Sequence, residues 1–111
     1  AISTETDNEY VEPLIQEVYH EIDRLHQEPV SAEELTIVRN YMLGEMCRSY
    51  ESPFSLSDAW IFIATSGLDD DYFSRSLLAV NEVTSMEIQD LAQRYLCKET
   101  LKEVIAGKKL S

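Results

Sequence analysis

Residues 30–35 read Val-Ser-Ala-Glu-Glu-Leu, and residues 83–88 read Val-Thr-Ser-Met-Glu-Ile. In each phrase a hydroxyl side chain is followed three positions later by Glu, with an apolar residue on either side of the unit. This is the pattern of a capping box inside a hydrophobic staple. The hydroxyl of Ser31 or Thr84 accepts from the amide three residues on, and Glu34 or Glu87 reaches back to the cap. Val30 with Leu35, and Val83 with Ile88, then set the angle at which the chain enters each helix. Two helix starts are thereby placed at Ser31 and Thr84.

The remaining elements follow from apolar spacing and from punctuation by Pro and Gly. Val11, Leu14, Ile15, Val18, Ile22 and Leu25 recur at intervals of three and four, which predicts a helix near residues 8–27. Thr6 or Asp7 suits its cap, Pro13 is expected to loosen or kink its start, and Glu28-Pro29 ends it. A second helix near 31–50 buries Leu35, Val38, Tyr41, Met42 and Met46. Gly44 interrupts it at a cost of about 1 kcal/mol relative to Ala, which a close approach by another element would explain. Ser52-Pro53 opens a third helix near 53–66, with Ser as the cap and Pro where no hydrogen bond is lost. Phe54, Leu56, Trp60, Ile61, Phe62 and Ile63 give that helix apolar residues on several faces, as expected of a central element.

Gly67 suits a left-handed terminator. Asp69, Asp70 and Asp71 lead into a fourth helix near 70–82, where acids complement the dipole, and the fifth runs near 84–96. Leu101 to Ala106 turns β-branched and predicts a C-terminal strand near 101–106, while Ile2 and Thr4 suit the end of a short strand within residues 1–5. The expected fold class is mainly α, a fragment of an α+β domain, with residues 1–111 forming a single unit. Two isolated strands do not make a sheet. They pair with each other, or the rest of their sheet lies outside these 111 residues.

With 44% apolar residues the chain can support a modest core. No apolar run approaches the roughly 20 residues of a bilayer span, and no signal-peptide pattern opens the sequence. A soluble protein of unknown compartment, cytoplasmic or periplasmic, is expected, with no membrane partner. Residue 1 is Ala rather than Met, which fits a processed product or an excised piece, with Ala1 native or a remnant of cloning. The net charge is −12, and residues 1–35 carry ten acids against the single base Arg24. Only nine Lys and Arg are scattered along the chain, so a nucleic-acid partner is not expected. The acidic face reads first as a solubilising surface, with attraction of basic peptides as the alternative. Cys47 and Cys97 make neither a disulfide framework nor a zinc motif. Free thiols are the default and a disulfide is the alternative.

Candidate chemistry is sparse. His20 and His26 lie six residues apart, which on a helix directs them about 120° from each other. Neither His-Glu-x-x-His nor its inverse occurs. The Asp69–Asp71 run lacks the alternating ligands and distal Glu of a calcium loop and reads as helix capping. No nucleophile elbow is present, and three glycines do not build a phosphate loop. No catalytic, metal-binding or cofactor-binding residue is assigned, and no cofactor is expected in these residues.

In order, Ile22-Asp-Arg-Leu25, Glu28-Pro-Val-Ser-Ala-Glu-Glu-Leu35, Arg39-Asn-Tyr-Met-Leu-Gly44, Glu51-Ser-Pro-Phe54, Gly67-Leu-Asp-Asp-Asp-Tyr72, Val83-Thr-Ser-Met-Glu-Ile88, Ala92-Gln-Arg-Tyr-Leu96 and Val104-Ile-Ala-Gly107 resemble the C-terminal domain of insulinase/pitrilysin-type zinc peptidases. The resemblance covers nearly the whole chain. It implies a parent in which two similar domains or halves enclose a peptide chamber. There the N-terminal domain carries an inverted His-x-x-Glu-His motif with a further Glu, and the motif Glu serves as general base for zinc-bound water.

The resemblance also implies an Arg and a Tyr in the C-terminal domain that hold substrate, on strands upstream of the helices. Arg39/Tyr41 and Arg48/Tyr50 have the wrong spacing for that pair and are not assigned to it. The chain is therefore expected to be an inactive, structural back half of the C-terminal domain. Its expected partners are the catalytic domain or a partner subunit, peptide substrates through the parent, and a second copy through exposed strand edges. The alternatives are a fragment of a non-catalytic family member and an independent helical interaction module.

Overall fold

A computed structural model describes residues 1–108. Its five helices are α1 (Val11–Gln27), α2 (Ala32–Arg48), α3 (Pro53–Ser66), α4 (Tyr72–Glu82) and α5 (Ser85–Tyr95), with short 3-10 turns at Asn8–Tyr10 and Lys98–Thr100. The described residues divide into two compact units, one formed by residues 1–29 with those from 86 onward and the other by residues 30–85.

Local chemistry accounts for the helix ends. Ser31 accepts a 3.1 Å hydrogen bond from the Glu34 amide at the start of α2. Ser52 accepts one of the same length from Ser55, with Pro53 as the first helical residue of α3. Gly67 closes α3 at φ +67°, and the Leu68 amide reaches back to the Ile63 carbonyl at 3.1 Å, the left-handed ending that Gly makes at no steric cost. The start of α5 falls one residue after Thr84.

Two expected caps are corrected. Asp7 precedes a 3-10 turn and makes no side-chain capping bond there, because α1 proper begins three residues later. That shift places Pro13 in the first turn of α1, where its missing N–H has no intrahelical partner to lose. At α4 the cap position falls to Asp71, in helical backbone geometry and without a side-chain capping bond. The aspartates act differently: Asp69 accepts the Tyr72 amide on its carbonyl and pairs with Arg75 through its carboxylate at 2.7 Å.

The mainly helical expectation fits, but the strands do not form. Among the described residues there is no strand, so the α+β reading, the strand at 101–106 and the short strand at 1–5 are corrected. Leu101 is extended, at φ −66° and ψ 139°, yet no second extended segment supplies the ladder that turns extended backbone into a strand. Val104 and Ile105 stand exposed. Homo-oligomerisation through strand edges loses its basis with the strands themselves.

The cores are small. Among the described residues only Ile22, Ile63 and Ala92 are buried. In the first unit Ile22 of α1 and Ala92 of α5 supply the buried side chains; in the second, α2 packs along α4 and Ile63 is the buried residue of α3. Val38, Tyr41 and Met42 of α2, read from the sequence as inward, are exposed, whereas Leu35 and Met46 are half-buried as expected. Gly44 is not explained by close approach, since a methyl group built on it meets nothing within 4 Å. Among the described residues, no helix is long and apolar enough to cross a membrane.

Candidate functional site

Among the described residues, the first unit brings together one set of three ligand-type side chains. Glu17, His20 and Glu21 share one face of α1 at helical spacing, and one ligand atom from each lies within 4.8 Å of the others. His20 Nδ1 is 3.7 Å from Glu17 Oε1. Pairing His20 with His26 missed this group; its sequence signal is Glu-x-x-His-Glu, which places two carboxylates beside one imidazole. The triad does not fit a peptidase zinc. It offers one histidine where the inverted motif offers two, and all three side chains are exposed.

His26 has a packing role. Its Nε2–H donates to the Ala92 carbonyl at 2.9 Å, and its own carbonyl accepts from Gln89 at 3.0 Å and Gln93 at 2.8 Å. Three hydrogen bonds thus fasten the C-terminal turn of α1 to α5. The His26 carbonyl is one that the end of α1 leaves over, whereas the Ala92 carbonyl accepts from His26 in addition to the Leu96 amide at 2.9 Å.

Beside the triad lies an open apolar groove of about 290 Å³, floored by Leu14, Val18, Ile22 and Leu25 of α1 with Ile2 and Leu96. Glu17 and Glu21 form its rim. The stripe that predicted α1 therefore faces partly into solvent instead of into a closed core.

A polar network ties the C-terminal segment to α1. Tyr19 donates its phenolic hydrogen to Glu103 at 2.6 Å, and Lys98 pairs with Asp23 while its ammonium lies 5.7 Å from the centre of the Tyr19 ring. The hydrogen bond to Glu103 holds the Tyr19 phenol above its ordinary pKa, aided by partial burial and by the Glu103 charge. These contacts tie Lys98 and Glu103, on either side of the extended Leu101, to α1.

In the second unit Arg39 donates from Nε to the Val80 carbonyl at 3.1 Å and from Nη2 to the Val83 carbonyl. A guanidinium thus sits at the negative end of the α4 dipole. Tyr50, Phe73, Tyr72 and Phe62 form a chain of ring contacts with centroids 5.2–5.8 Å apart. Burial, followed by the neighbouring Cys47, raises the Tyr50 phenol. Arg48 pairs with Glu45 on the same helix, which raises its guanidinium further. Arg39 and Arg48 thus have structural partners, the end of α4 for one and Glu45 for the other. Cys47 is exposed and Cys97 half-buried, both as free thiols.

The chain matches no protein-family model, no curated protein and no solved structure.

Proposed function

We propose that this chain is the helical part of the C-terminal domain of an insulinase/pitrilysin-type peptidase. In that parent it forms part of the wall of a peptide chamber, and it contributes no catalytic group of its own. The observation that carries this reading is the imbalance between apolar surface and core. A chain with 44% apolar residues buries only three side chains among its described residues, as a layer does when it is completed by another body. The ordered phrases name which body that is. Hydrolysis of peptide bonds, and the zinc that supports it, belong to the parent's N-terminal domain. The Glu17–His20–Glu21 triad does not supply that metal site, and no catalytic step is derived through it.

The reading frame upstream of residue 1 tests the proposal. A His-x-x-Glu-His motif there, with chelator-sensitive peptidase activity of the full-length product, is the expected result. The same frame with a degenerate motif would assign the chain to a non-catalytic relative. A start codon immediately before residue 1 or 2 would overturn the fragment reading and leave an independent helical interaction module, which the same exposed apolar faces would serve.

A further inference from the structure

The groove on α1 joins an apolar floor to an acidic rim. Leu14, Val18, Ile22 and Leu25 follow at helical spacing along the floor, over about 16 Å of the helix axis. Ile2 and Leu96 complete the lining. Ile22 is buried, but Leu14, Val18, Leu25 and Leu96 are only half-buried and Ile2 is 61% exposed. At about 290 Å³ the groove is at the lower edge of the size of ligand clefts, about 300–1,000 Å³, and it is open. That form suits apolar side chains laid along α1 by another segment better than it suits an enclosed small molecule.

Charge selects the occupant. Glu17 and Glu21 stand on the rim, four residues and about 6 Å apart along the axis of α1. His20 lies 3.7 Å from Glu17 and Arg24 lies 3.4 Å from Glu21. Both pairs are exposed, and each carboxylate keeps further accepting positions for a donor from outside. Residues 1–29 carry eight acids against Arg24 alone, in a chain of net charge −12. A second copy of the chain, an anionic lipid surface or a nucleic acid would bring like charge to this rim. A segment rich in Lys and Arg brings the opposite charge. An amphipathic helix with apolar residues at i, i+3, i+4 and i+7 presents a stripe that matches the floor, and Lys or Arg four residues apart on its flank matches the rim.

We propose that the α1 groove binds a basic amphipathic helix of a partner protein. The partner's apolar stripe lies on Leu14, Val18, Ile22 and Leu25, and its Lys or Arg side chains meet Glu17 and Glu21. This inference concerns a surface of the first unit alone and holds whichever parent the chain comes from.

Fluorescence anisotropy with a labelled synthetic peptide tests the docking. The probe is about 18 residues long, with Leu at i, i+3, i+4 and i+7 and Lys on the flanks, and its control is a scrambled peptide of the same composition. The expected result is saturable binding in the micromolar range, at least about tenfold tighter than that of the scrambled peptide and weakened by added salt. Amide shift changes should centre on residues 14–25 of α1 and on Leu96. The pair Glu17→Lys/Glu21→Lys should weaken binding about tenfold. The pair Glu33→Lys/Asp58→Lys changes the net charge equally at exposed positions of the second unit, and should leave binding within about twofold. Equal binding of the scrambled peptide, equal losses from the two pairs of substitutions, or shift changes centred outside the groove would overturn the proposal. Should the Glu17→Lys/Glu21→Lys variant lose helicity, Glu17→Gln/Glu21→Gln serves in its place, with a loss of about threefold expected; unchanged binding by that variant would count against the proposal equally.

Discussion

Replacing Gly44 with Ala isolates a backbone effect from a packing effect. Gly44 is the thirteenth residue of the seventeen in α2, and a Cβ added there meets no atom within 4 Å beyond the helix's own backbone. There is no steric cost to set against the gain. The unfolded chain loses conformational freedom, and glycine's penalty within a helix is removed. The methyl group contributes little by burial, because nothing lies within contact distance. The expected stabilisation is therefore the propensity difference alone, about 0.5–1 kcal/mol. For a chain of this size that is a rise of about 2–5 °C in Tm. At a urea dependence of about 2 kcal/mol/M it is a midpoint shift of about 0.3–0.5 M with unchanged slope. Thermal and urea unfolding followed by circular dichroism at 222 nm measure both. A destabilised Gly44→Ala variant would refute the reasoning, since it would require a neighbour in space that is open in this structure.

Other perturbations separate the structural roles. Arg39→Ala should cost about 1–2 kcal/mol, because two carbonyls at the end of α4 lose a charged donor; Arg39→Lys should recover part of this, and equal losses for both would refute a role for the fork geometry. Ile63→Ala should cost about 2–3 kcal/mol, while Ile37→Ala, at a position 64% exposed, should stay within about 0.5 kcal/mol; similar effects at the two sites in urea unfolding would contradict the burial pattern. Tyr19 should titrate above the ordinary phenol value of about 10 in absorbance at 295 nm, and Glu103→Ala should return it to that range. The raised value means that the folded state favours the neutral phenol. The tether's contribution is thus complete below the unfolded-state pKa and is lost as pH rises through the folded-state pKa. A Tyr19 titration unaffected by Glu103→Ala would refute the assigned cause.

The helices were legible because their signals are local. A hydroxyl cap, a proline at the first turn and a left-handed glycine each act within four or five residues, and Ser31, Ser52-Pro53 and Gly67 all do in the fold what their spacing predicts. Periodicity placed the body of α1 as well. The sequence did not reveal that His26 would fasten α1 to Ala92, Gln89 and Gln93, or that His20 would stand between two carboxylates. The first depends on residues more than sixty positions away; the second is local, written in Glu-x-x-His-Glu.

By itself, then, the sequence determined that five helices form and, to within a few residues, where they begin and end. Only the tertiary structure decided which faces are covered. Leu101–Ala106 has the composition of a strand, but a strand is a relation between two segments, and here Lys98 and Glu103 are tied to α1 by their side chains without a ladder. Gly44 has the composition of a contact point and faces open space. Helix α3 has the composition of a core element and keeps Phe54 and Ile61 in solvent. Apolar content specifies that a surface favours being covered; what covers it is set by geometry, which no local pattern encodes.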